Sequence, residues 1–292
     1  THADCGQTSQ RLDSNPNVNV IAHAGAVLAL AEGGPPVTIN DRLDTLGQWQ
    51  AHSSFASGMT AHPKIDPHTH ELITFKADWQ QPWLRYGVLD AKGQETFATQ
   101  IEVSAPAMMH DMAITATHSI LMDLNVGYDI QHVVNAYDAP DNTIVLQVVR
   151  YPWYFRENPD QRTMAENPLG VLWQYTIDPV RGCVREQQLD ELAIELPRIN
   201  ESFTGRQHRY LYAVEQPSTV EMRGLVRYDL HTGNTQHHRV APGDQNSEPI
   251  FVPRPGATAE DDGWLLVSVY KQATHTNEIR ILDATDIHTA PV

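Results

Sequence analysis

Cysteine is scarce in this sequence. Only Cys5 and Cys183 occur in 292 residues, and neither sits in a CxxC pair. That is too few for a disulfide scaffold, and the spacing excludes a zinc ribbon or a thioredoxin-type site. A Cys5–Cys183 bridge stays open, while so low a count fits a reducing cytoplasm. Basic residues are also few: 20 Lys and Arg stand against 36 Asp and Glu, a formal net charge of −16. A surface that negative repels phosphate backbones, which argues against nucleic acid as a partner. No cluster of four or more Lys or Arg is present, which argues against an electrostatic membrane anchor. No run of 18 apolar residues exists to form a transmembrane helix. The first twenty residues lack an initiator Met, a basic segment and an apolar stretch. They are therefore not a signal peptide, and the chain reads as the interior of a longer protein.

Helical periodicity is missing too. The best candidate, "HAGAVLALAEG", alternates too regularly to favour a helix. Turn chemistry fills its place. Asp is followed three or four positions later by Gly in "LDAKG" (Asp90, Gly93), "IDPVRG" (Asp178, Gly182) and "YDLHTG" (Asp229, Gly233), each between short apolar runs. The Asp side chain caps such a turn and the Gly supplies φ > 0. "IDPHTH" follows the same pattern with His70 in the place of Gly. Many short strands joined by hairpins predict an all-β fold, either a β-propeller or a large sandwich. Residues 1–292 show no linker or low-complexity block and read as one domain. "VPRPGATAEDDG" reads as a long polar loop between two strands.

Histidine carries the sharper question. There are 15, and three fall in "TAHPKIDPHTHELITF". His68 and His70 belong to the turn and read as solvated. His62 precedes Pro63, which holds the backbone extended, and lies at the base of the hairpin. His110 in "MMHDMAIT" and His132 in "HVVNAYD" also stand where a strand begins. The three lie 48 and 22 residues apart, which is useless to a helix-borne site but sensible in a propeller, where each inner strand offers one residue to the axis. A strand-start histidine is nonetheless more often a hydrogen-bonded core group than a ligand.

Five ordered blocks, "TAHPKIDPHTHELITF", "MMHDMAIT", "HVVNAYD", "ELPRIN" and "SEPIFVPRPGATAEDDGWLLVSVY", resemble the signature segments of the carotenoid cleavage oxygenases. The resemblance runs from about Asn17 to Asp283. It implies a seven-bladed β-propeller with non-haem Fe(II) on its axis, held by histidines of which His62, His110 and His132 match three. Neutral imidazoles suit ferrous iron. The family's supporting carboxylates match Glu32, Glu195 and Glu248. The implied pairing sets Glu32 on His110, Glu195 on His132 and Glu248 on a fourth histidine that belongs to a Phe-His-Gly block. That block and the first-blade material are not found here, and His288 lies in the wrong context. The chain is thus expected to be a fragment, its propeller incomplete, its strand edges open to association and its own activity low.

The implied reaction cleaves a conjugated C=C bond of an apolar polyene with O2 to give two carbonyl products, with no catalytic side chain beyond the iron site. Trp83, Tyr151, Trp153, Tyr154 and Phe155 are candidates to line the substrate tunnel. Stilbene-cleaving relatives carry a lysine before the first supporting glutamate. Here that position is Ala31, which favours a carotenoid or apocarotenoid over a lignostilbene. The expected location is the cytoplasm. Relatives dip an apolar patch into the membrane, so peripheral contact of a full-length parent stays open, although no such patch is evident. Two rivals remain: a non-catalytic propeller that binds partners, and a calcium-dependent propeller hydrolase, which would need a carboxylate-rich axis instead of imidazoles. Zinc would also accept an all-histidine site.

Overall fold

The computed structural model describes residues 16–51, 53–106, 109–123, 132–152 and 168–292. Six antiparallel meanders follow one another along these residues. The first holds β1 (Asn19–His23), β2 (Ala26–Leu30), β3 (Val37–Ile39) and β4 (Thr45–Gln48). The second holds β5 (Lys64–Ile65), β6 (Leu72–Ala77), β7 (Leu84–Leu89) and β8 (Glu95–Gln100). The third is short, with β9 (Met112–Ile114) and β10 (Ser119–Leu121). The fourth comprises β11 (His132–Asp138), β12 (Ile144–Arg150), β13 (Val171–Asp178) and the first half of β14 (Cys183–Arg198). The second half of β14 opens the fifth, which continues with β15 (Tyr210–Glu215), β16 (Leu225–Asp229) and β17 (Asn234–His238). The sixth contains β18 (Gln245–Asn246), β19 (Ile250–Pro253), β20 (Gly263–Lys271) and β21 (Thr276–Asp283). The stretch "HAGAVLALAEG" supplies β2 and the turn before it, as its alternation predicts.

The turns form by the chemistry read from the sequence. Asp90 Oδ1 accepts from the N–H groups of Lys92 and Gln94, both at 2.9 Å, and Gly93 has φ +79°. Asp178 and Asp229 cap the β13–β14 and β16–β17 turns in the same way. Asp66 Oδ1 accepts from the His68 and Thr69 N–H groups, and His70 adopts φ +57° where the other turns use Gly. His68 and His70 are exposed, as expected of a hairpin tip.

Meanders alone bury little; stacking them face to face makes the core. Leu28 and Leu30 of the first sheet pack with Leu72 and Leu89 of the second. Phe75 and Leu84 of the second meet Met112 and Ile114 of the third. Ala113 of the third joins Val133 and Leu146 of the fourth. Val149 packs with Ile194 and Leu211 across the shared β14, and Tyr212 and Leu225 pack with Leu265 and Val267 of the last sheet. Each fully buried Leu stabilises the fold by about 1.5–3 kcal/mol of transfer free energy. Meanders that pack face to face with their sequence neighbours, and whose first strands converge, are the blades of a β-propeller. The channel at the centre is a cavity of about 270 Å³, lined by Asn19, Lys64, Ala113, Val133 and Arg198 from five successive blades.

Candidate metal centre

Three imidazoles stand at the head of this channel because three blades begin there. His62 lies two residues before β5. Its own N–H is held by Thr60 Oγ1 at 3.0 Å. His110 lies two residues before β9, and His132 is the first residue of β11. One ring nitrogen from each lies within 4.8 Å of those of the other two. The His62 and His110 ring centroids are 4.4 Å apart, those of His110 and His132 5.2 Å. His110 Nε2 and His132 Nε2 are separated by 3.3 Å.

Carboxylates approach the opposite sides of two rings. His110 Nδ1 is 3.0 Å from Glu32 Oε1, and His132 Nδ1 is 2.6 Å from Glu195 Oε2. Glu195 is only 4% exposed. Its other oxygen accepts from the Tyr151 hydroxyl, and Oε2 also accepts from the Leu196 N–H at 2.7 Å. Leu196 has φ +51°, a left-handed conformation that a leucine adopts at a cost. The β14–β15 register shifts at this point, between Glu195 and Arg198. The shift breaks strand alternation and sets Glu195 toward the axis.

Burial decides the charge of this cluster. It drives the pKa of His62 down from 6.5 to about 3; the charge of Asp111 opposes the shift but does not overcome the desolvation of an imidazolium. Burial alone would lower His132 also, but the contact with Glu195 outweighs it and the net direction is upward. Glu195 is depressed in return: its burial favours the neutral acid, and His132 and Tyr151 together overcome that.

The arrangement fits a divalent metal. His62 Nε2 is buried without a hydrogen-bond partner, and the Nε2 atoms of His110 and His132 face one another. An ion bonded to imidazole nitrogens at about 2.0–2.1 Å sets its ligand atoms about 3–4 Å apart, the range that the His110–His132 pair occupies. With Nδ1 of two rings directed at carboxylates, the proton stays on Nδ1 and the Nε2 lone pairs point inward.

Other expected residues fall elsewhere. Glu248 does not reach an imidazole among the described residues; its Oε1 accepts from Arg198 Nε at 2.7 Å. His288 is exposed near the end of the chain. Tyr151 is 6% exposed and donates to Glu195, so its hydroxyl serves the carboxylate behind His132. Trp83 lies in the β6–β7 connection and does not line the axial cavity. Trp153, Tyr154 and Phe155 lie outside the described residues, as does Cys5. Cys183 is exposed with a free thiol. Sequence reading missed two residues behind the cluster, Thr60 and Asp111. Both lie within two residues of a candidate histidine in sequence and are nearly inaccessible, at 1% and 2% exposed. An acid directly after His110, in an otherwise apolar segment, was the available signal.

A β-propeller with an axial cluster of carboxylate-backed imidazoles defines the class of this protein. The sequence model of the family described as retinal pigment epithelial membrane protein matches residues 2–131 and 128–292, and the chain belongs to that family, the carotenoid cleavage oxygenases. It is 29% identical over 340 residues to a carotenoid 9,10(9',10')-cleavage dioxygenase of Crocus sativus, covering 94% of this chain and 62% of that protein. The apocarotenoid-15,15'-oxygenase of Synechocystis is also 29% identical, over 348 residues, covering 96% of this chain and 69% of that protein. The crystal structure of cobalt-substituted Synechocystis apocarotenoid oxygenase superposes with a TM-score of 0.83 at 26% identity, over 94% of this chain and 70% of that one. The chain thus spans less than two thirds of the length of the plant relatives.

Proposed function

We propose that this protein is an Fe(II)-dependent dioxygenase that cleaves a conjugated C=C bond of a carotenoid or apocarotenoid with O2, giving two carbonyl products. The observation that carries the reading is the convergence of His62, His110 and His132, with two of the rings backed by Glu32 and Glu195. The three Nε2 atoms are the groups that would hold the iron, whose chemistry, when bound, is to activate O2 beside the alkene.

The protein's own part is orientation and proton placement. Glu32 and Glu195 hold the proton of His110 and His132 on Nδ1. Tyr151 fixes Glu195, so the carboxylate cannot rotate away from His132. Burial keeps His62 neutral, and hence a ligand, well below physiological pH. The leaving and arriving groups of this reaction are oxygen atoms and carbon fragments, so no side chain is needed as acid or base.

A polyene without a charged end group suits the position before Glu32. Ala31 is 5% exposed and offers no cation to a phenolate, which favours the apocarotenoid reading over a lignostilbene. The relatives named for carotenoid and apocarotenoid cleavage support the same choice.

The test is direct. Loaded anaerobically with Fe(II), the protein should retain iron after desalting. Given O2 and an apocarotenal, it should form, at a low rate, two shorter carbonyl products detectable by chromatography. Retention of calcium in place of iron, or iron retention undiminished in a His62→Ala/His110→Ala/His132→Ala variant, would overturn the reading.

A further inference from the structure

We propose that Asp111 is a positioning residue that locks the three imidazole-bearing strand starts into one register, with Lys64 as its partner. The problem it solves is topological. β5, β9 and β11 belong to three different sheets, and each pairs only within its own sheet. Among the described residues, no ladder hydrogen bond therefore fixes His62, His110 and His132 relative to one another.

Asp111 makes that connection with two oxygens. Oδ1 accepts from Lys64 Nζ at 2.8 Å, and Lys64 is two residues after His62. The same oxygen accepts from the Met112 N–H at 2.7 Å, which fixes the carboxylate to its own strand beside His110. Oδ2 accepts from the Val133 N–H at 2.9 Å, directly after His132. One side chain, on a residue 2% exposed, thus ties together the backbone or side chain beside all three rings. Thr60 adds a second tie: its hydroxyl donates to the His110 carbonyl at 2.9 Å and accepts from the His62 N–H at 3.0 Å. Lys64 also balances the charge, so the anion buried behind the imidazoles is paired.

A site held to within a fraction of an ångström needs such support, because ligand affinity falls quickly when the donors lose register. Asp111→Asn keeps the shape but presents an amide nitrogen to either Lys64 or Val133, so one of the two bridges must open. The inference rests on the metal-holding role proposed for the imidazoles, and the experiment separates the two.

Co(II) is titrated into the metal-free protein and its affinity and visible absorption are recorded. The control is Asp244→Asn. Asp244 is an equally buried carboxylate, 2% exposed and paired with Lys271, but it lies in the last blade. Both variants should lower the thermal midpoint. Only Asp111→Asn should weaken Co(II) binding, by about 10–100-fold, and shift the d–d bands. Lys64→Met should weaken it less, and Lys64→Arg should restore it. If Asp111→Asn does not fold, Lys64→Met/Asp111→Asn takes its place, since removing both partners leaves no unpaired charge. Wild-type affinity and bands in the folded variant would overturn the positioning role. No Co(II) binding by the wild-type protein would instead overturn the metal site itself.

Discussion

Removing the imidazole of His110 takes away one of three convergent nitrogens and leaves the Glu32 carboxylate without its nearest partner at 3.0 Å. His110→Ala should therefore lower Fe(II) or Co(II) affinity by more than the factor of about 10–100 expected for losing a supporting group, as read by calorimetric titration. Glu195→Gln is the more informative change. It keeps the volume but removes the charge beside His132 Nδ1, and its affinity loss should fall within that factor of about 10–100. Tyr151→Phe leaves one oxygen of a buried carboxylate short of a donor. It should cost about 1–3 kcal/mol of stability in urea unfolding, and weaken the metal less than Glu195→Gln does. Much of this was legible in the residues: the three histidines stand where short strands begin, and Glu195 sits in an apolar run where an unpaired acid is expensive. The partner of Tyr151 was not legible, because the side chain reaches Glu195 from just past the end of β12, 44 positions away. Nor was the fate of Glu248, which is engaged by Arg198.

Blade contacts set the tolerance of individual strands. Gly87 lies in the middle of β7 with the ring of Phe55 packed against it, and a Cβ added there would sit 2.1 Å from Phe55 Cε2. Phe55 is 1% exposed and has no solvent to turn into. Gly87→Ala should cost about 1–3 kcal/mol through overpacking, measured as a drop in the urea midpoint. A structural change confined to the exposed turn, such as Lys92→Ala in the β7–β8 hairpin, should stay within about 0.5 kcal/mol. Hairpins were the most readable elements, since Asp and Gly at fixed offsets name their own turn. The β14 strand was the least readable. It runs through two blades as one 16-residue element, and nothing local distinguishes the half that pairs with β13 from the half that pairs with β15.

Stability of the whole propeller should depend on pH through His208. The residue is 4% exposed, with Nδ1 3.2 Å from the Asn135 amide nitrogen and Nε2 buried without a partner. Burial lowers its pKa from 6.5 to about 4, the Arg206 carbonyl opposes the shift, and His231 adds to it. The unfolded chain then binds the proton more readily than the folded one between those two values. Stability from this group is complete above pH 6.5, falls as the pH drops, and stops falling near pH 4. The loss is about 2 kcal/mol by pH 5 and about 3 kcal/mol in all. Urea midpoints at pH 7 and pH 5 should show it, and His208→Gln should remove this share of the slope while leaving that of His62, which burial depresses in the same way.

Sequence by itself determined the local chemistry: where the turns fall, that the strands alternate, that no helix is favoured, and which histidines open strands. These depend on side chains acting on their own backbone within a few residues. Tertiary structure alone decided which of those strand starts meet. Among the described residues the blades share no hydrogen-bond ladder at the axis, so their relative placement comes from face-to-face packing and from buried side chains such as Asp111 that reach between sheets. Such contacts join residues far apart in the chain, and their partners are fixed only when the blades have stacked.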